Sequence, residues 1–457
     1  MFQLSNGDNS WLRSRSNRRD LLEIGTLGLG GLGLSSLLAT RTVASQASKD
    51  TSVVFLFLTG GPSQFETFDP KIHVPQDYRS VHGELATALP GVTIGGTFSR
   101  LSRWTHRMAL IRSFTHNISD HTKAVQQVIR GGNRMEAGMG AILSRIRGMA
   151  NQETGIPNHI YLGANEVDRQ FLKEKRRLLE ADGPGTLGKA YHPFEPGGNG
   201  PINKNLTLSV SPDRLSDRRH LQKTLDRLAR SLDTRGVMSG IDRFEQQALE
   251  LILGKSKEAF DLSKEDPRLV ERYDTGRFQT GLSKYRQSTL GKQLLLARRL
   301  CESGCGFVTI HNPGWDMHGG PTQHAMASGM DELGTPVDHA VSAFLEDVED
   351  RGLKDNILLI ISGEFGRTPK LNKHGGRDHW PQLTPLMLAG GGLQMGTVIG
   401  SSTPKGESPR STPISLDNVL ATVIHVLFDV AQLRLQPNLP REIISHLENT
   451  DPIHELI

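Results

Sequence analysis

Two cysteines in 457 residues are too few for a disulfide framework. Cys301 and Cys305 lie four apart with no second thiol pair to complete a structural zinc site, so they read as small buried apolar residues. Aromatic residues make up 5% of the chain and are not interleaved with basic ones. Charge of one sign is also scarce. Residues 1–47 contain five Arg and three acids, leaving 48 basic and 46 acidic groups in the remainder. Nucleic-acid binding has no support in that balance. No apolar run reaches the about 20 residues of a comfortable bilayer span, and no internal repeat is evident.

Glycine is plentiful, at 49 residues, and the hydrophobic fraction of 36% describes a loop-rich globular protein. The N-terminal stretch "SNRRDLLEIGTLGLGGLGLSSLLAT" pairs Arg18 with Arg19 ahead of a short, Gly-rich apolar run. It reads as a twin-arginine export signal, with cleavage near Ala44, Ser45 and Ala47. The expected location is periplasmic or extracellular, reached through the twin-arginine machinery. An uncleaved amphipathic anchor is the alternative.

Beyond residue 47, short apolar runs alternate with longer amphipathic ones, which predicts an α/β protein with a largely parallel sheet. The expected strands are Val53–Leu58, Met108–Arg112, His159–Leu162, Phe307–Ile310, Ile357–Ile361 and Pro385–Leu388. Val337, Ala340, Val341, Phe344, Leu345 and Val348 share one helix face, ending near Gly352. A second helix is expected from Leu282 through "YRQSTLGKQLLLARRLCESG", stopping at Gly304. Residues 171–284 are charge-rich, with a stripe of Leu221, Leu225, Leu228 and Leu232, and read as a helical insertion into one domain.

In open α/β sheets ligands bind outside the carboxyl ends of the strands, and ionisable residues collect there. The first strand runs into Gly60, Gly61 and Ser63, with Glu66 and Asp69 following; the second runs into "SFTHNISDHTKA", with Asp120 and His121 at a helix start. Phe307–Ile310 leads to His311, Asp316 and His318, and Ile357–Ile361 leads to Glu364, Arg367, His374, Arg377, Asp378 and His379. Asp316, His318, Glu364, Asp378 and His379 offer oxygen and imidazole donors without a thiolate. That set suits zinc first, with manganese, calcium or magnesium as alternatives. Arg367 and Arg377 are placed to clamp the oxygens of an anionic ester. Blander readings accompany these. Asp120 is also a natural N-cap, Glu364 and Arg367 also suit an internal ion pair, His311 and His374 suit ordinary hydrogen bonding, and His324 and His339 are expected to face solvent.

"FLFLTGGPSQFETFDPK", "LLLARRLCESGCGFVTIHNPGWDMHGG" and "GLKDNILLIISGEFGRTPKLNKHGGRDHWP" resemble the secreted bacterial family catalogued as a domain of unknown function (number fifteen-hundred-and-one). That family is grouped with sulfatases and alkaline phosphatases. The resemblance implies an alkaline-phosphatase-like, mostly parallel sheet flanked by helices, and a metal site acting on phosphate or sulfate esters. By motif, Asp316 and His318 resemble one metal position with His379 as its later His. Relatives carry an Asp-His pair where this chain has Glu364-Phe365, and a metal-binding Asp where it has Gly60-Gly61; Glu66 or Asp69 is the expected substitute. His121 is expected to serve as metal ligand, acid/base or anion site. Ser63, Thr115 and Ser119 are candidate nucleophiles, because neither Cys301 nor Cys305, nor any Ser, stands in the C/S-x-P-x-R motif of formylglycine arylsulfatases. Two functions follow: a metal-dependent hydrolase of phosphate or sulfate esters, or an inactive relative that binds an anionic ligand such as sulfated polysaccharide.

Overall fold

A computed structural model describes residues 47–163, 172–196, 255–281, 286–436 and 439–457. Residues 1–46, where the export signal is expected, the leucine stripe of 221–232 and most of the proposed insertion lie outside the described residues. Seven strands form the central sheet. In chain order they are β1 Ser52–Thr59, β2 Ala109–Ile111, β3 His159–Leu162, β4 Phe307–Pro313, β5 Ile357–Ser362, β6 Leu386–Gly390 and β7 Thr397–Ile399. Across the sheet the order is β7-β2-β6-β5-β1-β4-β3. Only β6 runs against its neighbours, pairing antiparallel with β2 and β5, while the other pairings are parallel. The expected mostly parallel sheet flanked by helices is therefore present.

The strand β1, "SVVFLFLT", is apolar from Val53 to Leu58 because both of its faces are covered. Val54, Leu56 and Leu58 join one core with the helices α4 (Leu290–Glu302) and α5 (Thr335–Asp350). Val53, Phe55 and Phe57 join the opposite core, with α1 (His121–Arg130), α2 (Met139–Arg147) and α6 (Leu416–Leu427). The helix α3 (Leu172–Ala181) lies against α1. Local chemistry sets the helix ends: Asp120 accepts the Lys123 N–H and caps α1, and Gly131, at φ 60°, closes it.

Several expectations need correction. The helix expected from Leu282 begins at Leu290, and Arg286–Gln287 instead pairs with Gln279–Thr280 as a small hairpin. The edge strand β7 was not expected, since three residues carry too short an apolar pattern. His324 and His339 are buried, at 5% and 7% exposure, rather than solvent-facing. His339 lies on the inner side of α5 with Nδ1 3.2 Å from Arg277 Nη2. Cys301 and Cys305 are free and buried, as their reading as apolar filler requires, and burial pushes the Cys301 thiol up to about 12. Among the described residues no helix is long and apolar enough to cross a membrane.

Candidate metal centre

Four strands deliver the site at their carboxyl ends. β1 ends at Thr59 and leads into Gly60; β4 leads to Asp316 and His318; β5 leads to Glu364, Phe365 and Arg367. The segment after β2 passes His116 and Ser119 and starts α1 at His121. The chain after Arg367 loops out and returns with Asp378 and His379, where His379 pairs antiparallel with Arg367.

The carboxylate of Asp316 is the centre. His318 Nε2 stands 3.0 Å from Oδ1, His379 Nε2 3.3 Å from Oδ1, and His121 Nε2 3.4 Å from Oδ2. Donor atoms of His121, Asp316 and His379 all lie within 4.8 Å of one another. The other ring nitrogen of each histidine has an acceptor of its own. His121 Nδ1 is 2.8 Å from Glu364 Oε1, His318 Nδ1 is 2.9 Å from Asp378 Oδ1, and His379 Nδ1 is 3.0 Å from the Ser119 carbonyl. Carbonyls and ionised carboxylates only accept hydrogen bonds, so each Nδ1 carries the proton. All three Nε2 atoms are then turned inward. His318 Nε2 and His379 Nε2 face each other at 3.0 Å, a contact that repels unless a proton or a cation lies between them. Imidazoles held from behind by carboxylates and a carbonyl are the usual outer framework of a metal site, and the donor atoms of His121, Asp316 and His379 are close enough together to hold an ion, with His318 beside them.

Burial disfavours charge on Asp316, but hydrogen bonds from His121, His318 and His379, with the Arg367 guanidinium, outweigh it and hold the carboxyl well below the usual range. Burial likewise works against a charged His121, yet Asp316 and Glu364 raise its pKa to about 9. The Asp316 hydrogen bond raises His318 in the same sense. Metal-free, the cluster therefore holds protons where an ion would sit.

Glu364 and Asp378, expected as direct ligands, stand behind the imidazoles. Glu364 is fully buried and accepts the Gly60 N–H at both oxygens, at 2.9 and 3.0 Å. Only glycine fits there: Gly60 has φ 120°, and a Cβ would lie 2.3 Å from Asp316 N. His121, expected in any of three roles, stands among the inward-facing donors. Phe365, in place of a histidine, packs its ring 4.4 Å from His379 and 5.0 Å from His121, walling the cluster.

Arg367 is fully buried, and its donors are all directed at protein acceptors. It reaches Gly61 O at 2.7 Å, Arg377 O at 3.1 Å, Trp315 O at 3.2 Å, Gly60 O and Asp316 Oδ1 at 2.7 Å, with His318 Nε2 at 3.4 Å. Its partners include Asp316 and not Glu364. Arg377 is also fully buried and is occupied by Glu66 at 3.2 Å and by the Thr368, Pro369 and Arg79 carbonyls, so it braces the loop. Glu66 is spent on Arg377, Ser80 and the Val81 N–H. Asp69 is spent on Lys71, Arg112 and Ser402. Neither substitutes for a strand-end aspartate.

Ser63 is buried with Oγ accepting the Phe65 N–H at 3.2 Å, and Thr115 donates to Pro381 O at 3.2 Å. Ser119 meets the site through its carbonyl. His311 is buried with neither ring nitrogen partnered among the described residues, and His374 is exposed.

Sequence reading missed three neighbours. Gln323 donates to Asp316 Oδ2 at 2.8 Å, and His116 Nε2 lies 2.6 Å from the Glu364 carbonyl. Glu174, on α3, accepts the Gly314 N–H at 3.2 Å, and burial, with the charge of Glu364, pushes its carboxyl up to about 8. His116 was visible at the same strand exit as His121. Nothing in the charge-rich run around Glu174 marked it.

A doubly wound α/β sheet with a histidine–carboxylate centre at its carboxyl edge is the class that fold and site define. The sequence profile of the family described as "Protein of unknown function (DUF1501)" matches residues 50–454, and the chain belongs to that family. It is the family that the three motif stretches resemble. Comparison with characterised proteins by sequence gave no match. Solved structures with overall likeness include a Bacteroides thetaiotaomicron protein from work on glycosaminoglycan metabolism, at 10% identity and TM-score 0.38, covering 85% of this chain and 74% of that one. The PsFucS1 sulfatase from Pseudoalteromonas sp. gives 11% and 0.33, covering 86% and 70%. A phosphonate monoester hydrolase from Silicibacter pomeroyi gives 9% and 0.33, covering 82% and 73%. None is near enough to transfer a reaction.

Proposed function

We propose that the chain is an exported hydrolase of phosphate or sulfate esters, dependent on a divalent metal held by His121, His318, His379 and Asp316. The observation that carries this reading is the inward orientation of three Nε2 atoms around one carboxylate, each ring fixed by an acceptor at its other nitrogen. Zinc is the first choice for that donor set, ahead of manganese, calcium and magnesium. A bound ion of this kind polarises an ester oxygen and lowers the pKa of water. The protein's own groups do the rest. Arg367 fixes the Asp316 carboxylate, and Glu364 and Asp378 hold the Nδ1 protons of His121 and His318.

Elemental analysis of protein purified from an exporting host is expected to find about one divalent ion per chain. Turnover of a panel of aryl and sugar sulfates and phosphates then decides between catalysis and binding. Metal present with no turnover of any ester supports the inactive, ligand-binding relative; no metal at all overturns the proposal.

Two expected outcomes arise from the outer residues. Asp378→Ala removes the acceptor behind His318 and frees its tautomer, so metal affinity falls by about 10–100-fold while the fold persists; competition with a chromophoric chelator measures it. In the metal-free protein His121 holds its proton up to about pH 9. An ion must displace that proton, so apparent affinity rises with pH through neutrality, by about tenfold per unit for each proton released, and levels off above about 9. Calorimetry in buffers of different ionisation enthalpy reads the proton count at pH 7. A count of zero removes His121 from the ligand set.

A further inference from the structure

The loop of residues 368–378 carries the chain from Arg367 back to His379 and is closed at its base. There the Thr368 N–H donates to Asp378 O at 2.8 Å, and the Asp378 N–H donates to Thr368 Oγ1 at 3.0 Å. Inside the loop lies Asn372, half-buried, with both ends of its side-chain amide in use. Its Oδ1 accepts the His374 N–H at 2.9 Å and the Gly376 N–H at 3.1 Å. Its Nδ2 donates to the His318 carbonyl at 3.0 Å and to Asp378 Oδ1 at 3.3 Å. Backbone N–H groups only donate, while a carbonyl and an ionised carboxylate only accept, so the amide has a single orientation.

The bonds to Oδ1 are ordinary turn chemistry, in which an Asn oxygen holds the backbone N–H groups that follow it. The bonds from Nδ2 are not needed for a turn. They reach the two residues that set one inward-facing imidazole. Asp378 accepts His318 Nδ1 at 2.9 Å through the same Oδ1 that Asn372 meets. The Asp378 side chain is 60% exposed, so water competes for it, whereas Glu364, behind His121, is fully buried and needs no such brace. Among the described residues, the side-chain donors to the Asp378 carboxylate are His318 and Asn372. The backbones of the two loops also interlock. Gly319 and Gly375 form an antiparallel bridge, the Arg377 N–H donates to Met317 O at 3.1 Å, and a Cβ on Gly376 would lie 2.1 Å from the His318 carbonyl.

We propose that Asn372 is a positioning residue of the metal centre: its amide N–H groups tie the His318 backbone to the Asp378 carboxylate and so aim His318 Nε2 inward. This role rests on the metal-binding reading above. Metal-bound histidines depend on such outer partners, whose loss costs about 10–100-fold in metal affinity. Asn372 acts on the ion only through His318 and Asp378.

Two substitutions separate the turn from the brace. Asn372→Asp keeps an oxygen for the His374 and Gly376 N–H groups but has no donor, and sets a carboxylate against the His318 carbonyl and Asp378. Asn372→Ala removes both functions and adds no charge. Zinc affinity, read by chelator competition, should fall at least about tenfold in both, while metal-free Asn372→Asp protein still melts cooperatively. At saturation with cobalt(II), the visible absorption bands of both variants should be weaker than the parent's, because a loosely held imidazole no longer fixes the coordination geometry. In an Asp378→Ala background Asn372→Asp should cost less affinity than it does alone, since residues acting through one another are not additive. Full zinc affinity in either variant overturns the proposal, as do unchanged cobalt bands or a loss that adds in full to that of Asp378→Ala. Parent protein that binds no zinc overturns the metal centre itself, whereas zinc-binding parent with unaffected variants overturns only the role of Asn372.

Discussion

Asp316→Ala protein is expected to leave purification with less than about a tenth of the parent's metal, and to lose ester hydrolysis by roughly a thousandfold or more. The size of the effect follows from how much converges on one carboxylate. Three imidazoles, the Arg367 guanidinium and the Gln323 amide all lie within 3.4 Å of its oxygens. Alanine removes the only anionic member of the inward-facing set. The imidazoles then face one another and a buried cation with no negative charge among them, which disfavours any further positive charge. Asp316→Asn keeps the shape and the Arg367 and Gln323 neighbours within reach while removing the charge, so its metal content should fall between the two. Metal analysis and turnover on the same preparations check this. Full metal occupancy in Asp316→Ala protein would dismiss the proposed centre.

Arg367→Met should be the most destabilising single change near the site. Its guanidinium is fully enclosed and joins the turn after β1, the loop after β4 and the returning segment at Arg377. Methionine fills comparable space but leaves the Gly60, Gly61, Trp315 and Arg377 carbonyls without their donor and Asp316 without its cation. Breaking a buried charge pair of this kind costs about 3–5 kcal/mol, more than the loss of one exposed contact. In a chain of this size that lowers the melting midpoint by roughly 3–6 °C. Arg367→Lys should rescue little of it, because a single ammonium cannot reach carbonyls on three sides. Thermal melting with and without added zinc separates the two consequences. A loss that zinc fully restores would mean that Arg367 acts only through the metal ligands.

The elements most legible in the sequence were those whose apolar run is continuous. β1, β4 and β5 lie in the middle of the sheet, and their sequences had to be apolar on both faces. β7, three residues at the edge, had no such obligation and left no pattern. The start of α4 was misplaced because "YRQST" is compatible with a helix, whereas Arg286–Gln287 is used to pair with Gln279–Thr280. His339 was misjudged for a similar reason: its position on α5 looked polar, but the helix buries it beside Arg277.

At the site, the sequence by itself determined which segments meet. Asp316, His318, Glu364, Asp378 and His379 had to share one edge, because each follows the carboxyl end of a strand that has nowhere to go but the centre of the sheet. Rank within the cluster was decided by tertiary structure alone. Whether a histidine turns Nε2 or Nδ1 inward depends on the acceptor behind it, and those acceptors come from chain positions far away: Glu364 for His121, Ser119 for His379. The two arginines show the same limit. Arg367 and Arg377 have equal standing in the sequence, yet one holds the central carboxylate and the other pairs with Glu66 well behind it. Apolar runs are a local property of the chain and survive in its spelling. The direction of a hydrogen bond between segments hundreds of residues apart is not local, and only folding fixes it.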